Sequence, residues 1–121
     1  MVAVNRRLIR LGKLGPLYRS DVRFEEEPPG FESFIDGRTV VIKARPSKPN
    51  PMPHTHWGDC AHLACWRCAE LQEAGERATL RVKWKHPTYH IQVRRPVRVN
   101  QPYVDDPFVE DPSRLLGMRS F

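Results

Sequence analysis

All three cysteines of this 121-residue chain and three of its five histidines fall between positions 54 and 68. Zinc prefers thiolate and imidazole ligands, and a structural zinc site needs four of them arranged as a tetrahedron. So many of these side chains in so short a stretch favour folding around one metal ion. We therefore predict a zinc site here, and its potential ligands are His54, His56, Cys60, His62, Cys65 and Cys68.

The spacing within this cluster ranks the ligands. Cys65 and Cys68 are separated by two residues, the spacing at which a tight turn or the first turn of a helix brings two sulfurs to one metal. The predicted ligands of Zn²⁺ are Cys60, Cys65, Cys68 and His56, with His54 or His62 as the alternative to His56. A single Cys-x-x-Cys pair would instead favour a plain helix with free thiols, but six potential ligands favour the metal. Three thiolates leave a bound water weakly acidic, so we expect a structural zinc ion.

Twelve prolines, about twice ordinary usage, cluster at 28–29, 46–53 and 96–112. Proline-rich segments are usually extended, so the part of the chain that packs into a hydrophobic core is smaller than its length suggests. A bound metal would add stability that so small a core lacks. An odd number of tightly spaced cysteines argues against a disulfide framework and for a reducing compartment. No apolar run approaches the roughly 18 residues of a membrane span, so we expect none.

Two β-hairpins are predicted, one on either side of the cluster. In the first, the runs 31–35 and 38–44 flank Asp36-Gly37, a dipeptide that supplies the positive φ angles of a two-residue type I′ turn. In the second, apolar and polar residues alternate over 80–84 and 89–93, with a turn at 86–88. Its basic side chains are expected to face solvent, while the side chains expected to face the core are Leu80, Val82, Trp84, Tyr89, Ile91 and Val93.

A short helix is predicted after the cluster. Residues 69–78 have helical composition with Gly75 as the stop, and Asp59 is a suitable N-cap if the helix begins within the cluster. These elements define an α+β fold, mainly β, in which two β-hairpins and a short helix surround a zinc knuckle. Residues 21–99 form this zinc-stapled β-rich domain.

The two ends are predicted to be extended. Residues 1–20 form a basic N-terminal arm, and residues 100–121 form an extended C-terminal docking tail. Their hydrophobic side chains are too scattered to offset an ordering entropy of about 1–2 kcal/mol per residue, so we expect partners to order them.

The net charge of +6 is concentrated in two stretches. The first 24 residues are rich in arginine, and residues 81–98 carry basic side chains and no acidic ones. Concentrated basic charge suits an anionic partner, most often nucleic acid. We assign phosphate contacts to Arg6, Arg7, Arg10, Arg81, Lys83, Lys85, Arg94 and Arg98.

Outside the cluster no catalytic signature is visible, and no small-molecule substrate is evident. We expect a non-enzymatic, zinc-stabilised structural subunit of a large assembly that binds RNA and neighbouring proteins, similar in style to the small basic subunits of ribosomes and mitochondrial ribosomes. The alternatives are a phage virion or tail protein that binds protein alone, and a metal-dependent nuclease of the ββα type. We expect an intracellular, reducing location. The Arg-rich, acid-free N-terminus also fits the mitochondrial matrix, and a virion is the alternative.

Overall fold

Helices and strands form a mixed α and β fold. The computed structural model describes residues 2–20, 22–24, 56–85 and 88–119. In chain order the elements are α1 (Val2–Arg10), a 3-10 helix (Leu17–Arg19), β1 (Val22–Phe24), β2 (His56–Gly58), α2 (Cys60–Glu73), β3 (Thr79–Lys85), β4 (Thr88–Arg94), β5 (Val109–Glu110) and α3 (Pro112–Leu115). None of the described helices is long and apolar enough to cross a membrane.

The longest of these elements, α2, begins and ends where the sequence provides a cap and a stop. The Asp59 carboxylate accepts a hydrogen bond from the His62 N–H, and the His62 ring accepts one from the Asp59 N–H. This reciprocal capping box satisfies amides that a helix start leaves unpaired. Gly75, with a φ of 92°, follows the C-cap in left-handed backbone that favours glycine. The predicted cap and stop are confirmed, but the helix already starts at Cys60 and contains every cysteine.

The strands form two separate sheets. β3, β4 and β5 make an antiparallel sheet in that order, and the register pairs Leu80 with Val93 and Trp84 with Tyr89. β1 and β2 form a two-stranded parallel ladder. The turn between β3 and β4 and the first predicted hairpin, 31–44, lie outside the described residues.

α2 contributes to two hydrophobic clusters. Its Trp66 is 0% exposed, and the Nε1 of this side chain donates to the Gly15 carbonyl oxygen at 3.1 Å. The cluster around Trp66 consists of Leu14, Leu17, Val22, Leu63, Trp66 and Leu116. The second cluster consists of Ala64, Cys68, Leu71, Ala78 and Val93. Because the first cluster joins residues from near both ends of the chain to α2, this helix organises the core.

The described parts of the terminal regions, 2–20 and 100–119, differ from the extended arms that we predicted. α1 packs along α2, where Arg6 Nε lies 2.6 Å from Glu73 Oε2. Leu17 and Leu116 are buried together with Trp66. These hydrophobic residues look scattered in the sequence because turns and short helices separate them, although the fold brings them together. Their burial against one large aromatic side chain contributes to ordering both segments.

The apolar face of β3 and β4 is buried only where α2 covers it. Val93 is fully buried in the second cluster, and Ile91 packs beside it. α2 lies mainly over β4, so much of β3 and the far end of both strands are left uncovered. The prediction of a buried face is therefore wrong for four side chains, namely Leu80, Val82, Tyr89 and Trp84, of which the last is 76% exposed.

Candidate functional site

Cys60 is the first residue of α2, and its side chain is half-buried. The Asp59 cap accepts hydrogen bonds from the N–H groups of Ala61 and His62, so the cap leaves the Cys60 N–H to other acceptors. A sulfur at the start of this fourteen-residue helix lies where the helix dipole and the first peptide N–H groups stabilise negative charge. Such a position is typical of reactive cysteines.

A buried histidine lies near Cys60, and a buried aspartate contacts this histidine. His90, on β4, is 1% exposed, and its Nε2 lies 2.7 Å from Oδ2 of Asp111. The Cys60 side chain lies near the same imidazole and contributes to raising the pKa of His90. This arrangement is typical of sites in which a thiol is the nucleophile, an imidazole is the base and a carboxylate orients the imidazole.

Every polar atom of Asp111 has a partner. Its backbone N–H donates to Gln101 Oε1 at 2.8 Å, and its carbonyl oxygen accepts from Gln101 Nε2 at 3.1 Å. Its Oδ1 accepts from the Arg114 N–H at 3.2 Å, and its Oδ2 accepts from Gln92 Nε2 at 3.1 Å in addition to the His90 contact. The carboxylate that faces His90 is therefore held at both oxygens and through its own backbone.

The electrostatics of this group favour a protonated imidazole between two acceptors. Burial lowers the pKa of His90, but the hydrogen bonds and charges of Asp111 and Cys60 outweigh burial and raise this pKa to about 9. Burial raises the pKa of Asp111, and the hydrogen bond and charge of His90 outweigh that effect and lower it. Near neutral pH, His90 is therefore an imidazolium that contacts the Asp111 carboxylate and lies near the Cys60 side chain.

The two other thiols lack these surroundings. Cys65 and Cys68 are buried, and Cys68 belongs to the hydrophobic cluster beneath the sheet. Burial raises the pKa of Cys65 to about 11 and also raises the pKa of Cys68. Because the thiolate is the reactive form, the raised pKa values make these two cysteines chemically quiet.

The zinc prediction is not tested by the described part of the chain. Within it, no group of three or more His, Cys, Asp or Glu side chains is arranged to hold a metal ion. Within α2, Cys60 lies about 140° around the helix axis from Cys65, and it lies about 12 Å along the axis from Cys68. His62, the alternative ligand, is engaged in the capping box, where Nδ1 lies 2.9 Å from Asp59 Oδ1. His54 and the His56 side chain lie outside the described residues, so the zinc site stays a prediction.

Most of the predicted phosphate-binding residues contact acidic groups of this chain. Arg6 and Arg10 both contact Glu73, at 2.6 and 3.4 Å. Arg81 and Lys83 contact Asp105, at 3.1 and 4.0 Å.

The remaining four members of the predicted set are Arg94, which also contacts an acidic group, and Arg98, Arg7 and Lys85. Arg94 contacts Asp106 at 3.3 Å, and the Arg98 guanidinium lies over the Phe108 ring. Arg7 is exposed, and the Lys85 side chain lies outside the described residues. Much of the basic charge is thus balanced within the chain, and the acidic partners Asp105 and Asp106 come from a segment that the sequence interpretation had set apart as a tail.

A second polar network adjoins the site through the residue before Asp111. The buried Glu110 carboxylate accepts from Tyr18 Oη, Arg67 Nε and Arg95 Nη1. Arg95 also pairs with Glu76 at 2.6 Å. This network ties β5 to α2 and to the 3-10 helix, and so fixes the chain at the point where it delivers Asp111.

The sequence interpretation missed His90, Asp111, Gln92 and Gln101. Alternation assigned His90 and Gln92 to a solvent face, and both Asp111 and Gln101 lay in the predicted tail. One pattern was available: a capped helix that begins with a cysteine, followed by a histidine on a strand and an aspartate farther along. Thiol nucleophiles, their base and their orienting acid are adjacent in space and not in sequence, so this pattern alone identifies no site.

Comparisons with models of protein families, with curated proteins and with solved structures found no match to this chain. The case for a site therefore rests on the geometry around Cys60, His90 and Asp111.

Proposed function

We propose that this chain is a thiol-dependent enzyme that transfers or hydrolyses acyl groups. Cys60 is the nucleophile, His90 is the general base and acid, and Asp111 orients and stabilises the imidazolium. The observation that carries the proposal is the buried contact between His90 Nε2 and Asp111 Oδ2, which are 2.7 Å apart, with the Cys60 side chain near the same imidazole. The same constellation of roles recurs on unrelated folds, because its chemistry depends on geometry alone.

The reaction proceeds in two steps. In the first, the Cys60 sulfur attacks the acyl carbon of an amide, ester or thioester, a carbon–sulfur bond forms, and the bond to the leaving group breaks as His90 gives that group a proton. In the second, water or another nucleophile bearing a proton attacks the thioester, passes the proton to His90 and releases the Cys60 thiolate. The Cys60 N–H at the helix start is suited to donate to the oxyanion formed in each step.

The contrast among the three thiols supports this assignment. Burial raises the pKa of Cys65 and of Cys68, whereas Cys60 lies beside an imidazolium at a helix start. The reducing intracellular compartment proposed from the odd cysteine count would keep Cys60 reduced. An acyl group attached to oxygen, nitrogen or sulfur is the class of substrate that this chemistry accepts.

The proposal is tested with p-nitrophenyl acetate as the acyl donor. We expect a burst of p-nitrophenol, and a mass increase of one acetyl group that peptide mapping assigns to Cys60. Cys60→Ala abolishes both, while the matched control Cys65→Ala, which removes a buried thiol of the same helix, retains both. Wild-type protein that forms no acyl adduct, or that is acetylated equally well in Cys60→Ala, would refute the proposal.

The competing proposal is the non-enzymatic one: a zinc knuckle between two hairpins in a structural subunit that binds RNA and neighbouring proteins. Chelation separates the two. Structural zinc sites contribute on the order of 10–16 kcal/mol of apparent binding energy, so a zinc-stapled domain melts in excess chelator. The thiol enzyme keeps its thermal transition and its acylation of Cys60 under the same conditions. Metal-free protein with full acylation activity therefore favours the enzyme, and unfolding upon chelation favours the subunit.

A further inference from the structure

The amide of Gln92 has one orientation that satisfies its neighbours. Its Oε1 accepts from Arg81 Nη1 at 3.3 Å, and its Nε2 donates to Asp111 Oδ2 at 3.1 Å. Arginine can only donate and a carboxylate can only accept, so the opposite orientation of the amide would oppose donor to donor and acceptor to acceptor. Arg81 therefore determines that Gln92 presents an N–H to Asp111.

Arg81 is itself fixed from the outside. Its two terminal nitrogens contact the two carboxylate oxygens of Asp105, each at 3.1 Å. A bidentate pair of this kind restricts the guanidinium more than a single contact does. A chain of fixed contacts thus runs from Asp105 through Arg81 and Gln92 to the same Oδ2 atom that contacts His90.

Gln101 acts on Asp111 from the other side. Its amide bridges the backbone N–H and carbonyl of Asp111, at 2.8 and 3.1 Å. The loop that carries Gln101 is bent by positive φ angles at Asn100 and Tyr103, 51° and 65°. Such backbone is uncommon for a bulky residue such as tyrosine, and it persists where surrounding contacts enforce it.

We propose that Gln92 and Gln101 are positioning residues of this site, which hold the Asp111 carboxylate so that His90 keeps its place near the Cys60 side chain, and that the Arg81–Asp105 pair sets the Gln92 amide. The inference rests on the proposed function in that it assigns these residues to the thiol site. Loss of the Gln92 N–H frees Oδ2 to turn away from His90, and the imidazole then loses the acceptor that fixes its orientation. Displacements of about 1 Å at such a contact are sufficient to lower reactivity by about 10²-fold.

The test compares two glutamines with the same type of partners. Gln92→Met removes the bonds to Arg81 and Asp111. Gln72→Met is the matched control, because Gln72 also accepts from an arginine, Arg6, and donates to an oxygen, the Ala78 carbonyl, near the end of α2 opposite to Cys60. Two quantities are measured at fixed pH: the rate at which iodoacetamide alkylates Cys60, and the ¹⁵N chemical shifts of the His90 ring.

We expect Gln92→Met to alkylate at Cys60 about 10- to 100-fold more slowly, with displaced His90 ring shifts, and Gln72→Met to match the wild type in both. If Gln92 had only a structural role, both variants would have a lower thermal transition, and neither the alkylation rate of Cys60 nor the ring shifts of His90 would change. The proposal is overturned if Gln92→Met is alkylated at Cys60 at the wild-type rate and its His90 ring shifts are unchanged. If Gln92→Met does not fold, the partly exposed Arg81 is replaced instead, because Arg81→Met removes the donor that orients the Gln92 amide. A wild-type alkylation rate and unchanged His90 shifts in Arg81→Met would also overturn the proposal.

The outcome is separable from that of the proposed function. Alkylation and ring shifts require no turnover, so protein that forms no acetyl adduct would refute acyl transfer while the effect of Gln92 on His90 stays measurable. Conversely, normal acyl transfer with no effect of Gln92→Met would refute the positioning role alone.

Discussion

Arg67 Nε and Glu110 Oε2 lie 2.6 Å apart, although 43 residues separate them in the chain. Glu110 is buried, and Arg95 Nη1 contacts its other carboxylate oxygen at 3.1 Å. One carboxylate therefore joins two guanidinium groups at the junction of α2 and β5, next to Asp111, which contacts His90.

We predict that Glu110→Gln destabilises the fold by about 2 kcal/mol, because it removes a charged acceptor that Arg67 and Arg95 share, although Arg67 keeps Glu70 and Arg95 keeps Glu76. The measurement is the free energy of unfolding from urea titration. Arg94→Ala, which breaks the exposed pair with Asp106, is the control and is expected to cost less than about 1 kcal/mol. Equal effects of the two variants would contradict the central role of Glu110.

Asp111→Asn is expected to slow acylation of Cys60 by about 10²–10⁴-fold while the fold is retained. An amide cannot stabilise the His90 imidazolium, and it offers a donor where the ring needs an acceptor. The rate is measured with p-nitrophenyl acetate. Asp106→Asn is the control from the same segment, because the side chain oxygen that accepts from the Phe108 N–H is kept, and this variant is expected to react at the wild-type rate.

The His90–Asp111 pair predicts a particular dependence of stability on pH. The pKa of His90 is raised from 6.5 to about 9, so its contribution is fully present below pH 6.5 and is lost as pH rises through about 9. The pKa of Asp111 is lowered, so its contribution is present above the ordinary value of 3.8 and is lost as pH falls below it.

Stability contributed by this pair is therefore greatest between about pH 4 and pH 6.5, and the loss by pH 9 is at most about 3 kcal/mol. Urea titrations over this range measure it. In His90→Asn, the free energy of unfolding should fall less between pH 6.5 and pH 9 than in the wild type. An equal fall in the two proteins would show that the His90–Asp111 pair does not cause the loss of stability at alkaline pH.

Two tryptophans distinguish the observed core from the predicted one. Trp66 is fully buried and donates to Gly15, so Trp66→Ala is expected to cost about 3–5 kcal/mol. Trp84, which the alternation pattern assigned to the core, is 76% exposed, so Trp84→Ala is expected to cost less than about 1 kcal/mol. The midpoints of urea unfolding measure both, and a Trp84→Ala effect as large as that of Trp66→Ala would restore the sequence-based assignment.

The cap of α2 allows a further matched pair. Asp59→Ala removes the acceptor for the Ala61 and His62 amides and is expected to destabilise the protein by about 1 kcal/mol. Asp59→Asn retains a side chain oxygen and should cost only a few tenths of a kcal/mol, because asparagine caps helices about as well as aspartate. Thermal unfolding at neutral pH measures the difference, and equal losses would indicate that the charge matters more than the cap.

Local features of this chain could be predicted, and contacts across it could not. Asp59 and Gly75 bound a helix through hydrogen bonds and backbone angles that involve only neighbouring residues. The Cys-x-x-Cys spacing is compatible with both a metal knuckle and one face of a helix, so Cys65 and Cys68 alone could not decide between them. Strict alternation located the residues of β3 and β4 but not the layer that covers them.

His90 illustrates the limit most clearly. On a strand, its neighbours alternate between apolar and polar, and such a pattern normally places the polar side chains in water. Its burial depends on Asp111, which is 21 residues farther along and returns to cover it. A pattern with a period of two contains no information about a contact of that range, so the candidate site emerged only from the fold.

The order of the three site residues has a consequence for biosynthesis. Cys60 leaves the ribosome first, His90 second and Asp111 third, and Asp111 is held by Gln101 and by the first turn of α3. A nascent chain therefore carries a thiol without its activating partners until residues beyond 111 have emerged. The same dependence makes the reactivity of Cys60 toward iodoacetamide a reporter of complete folding.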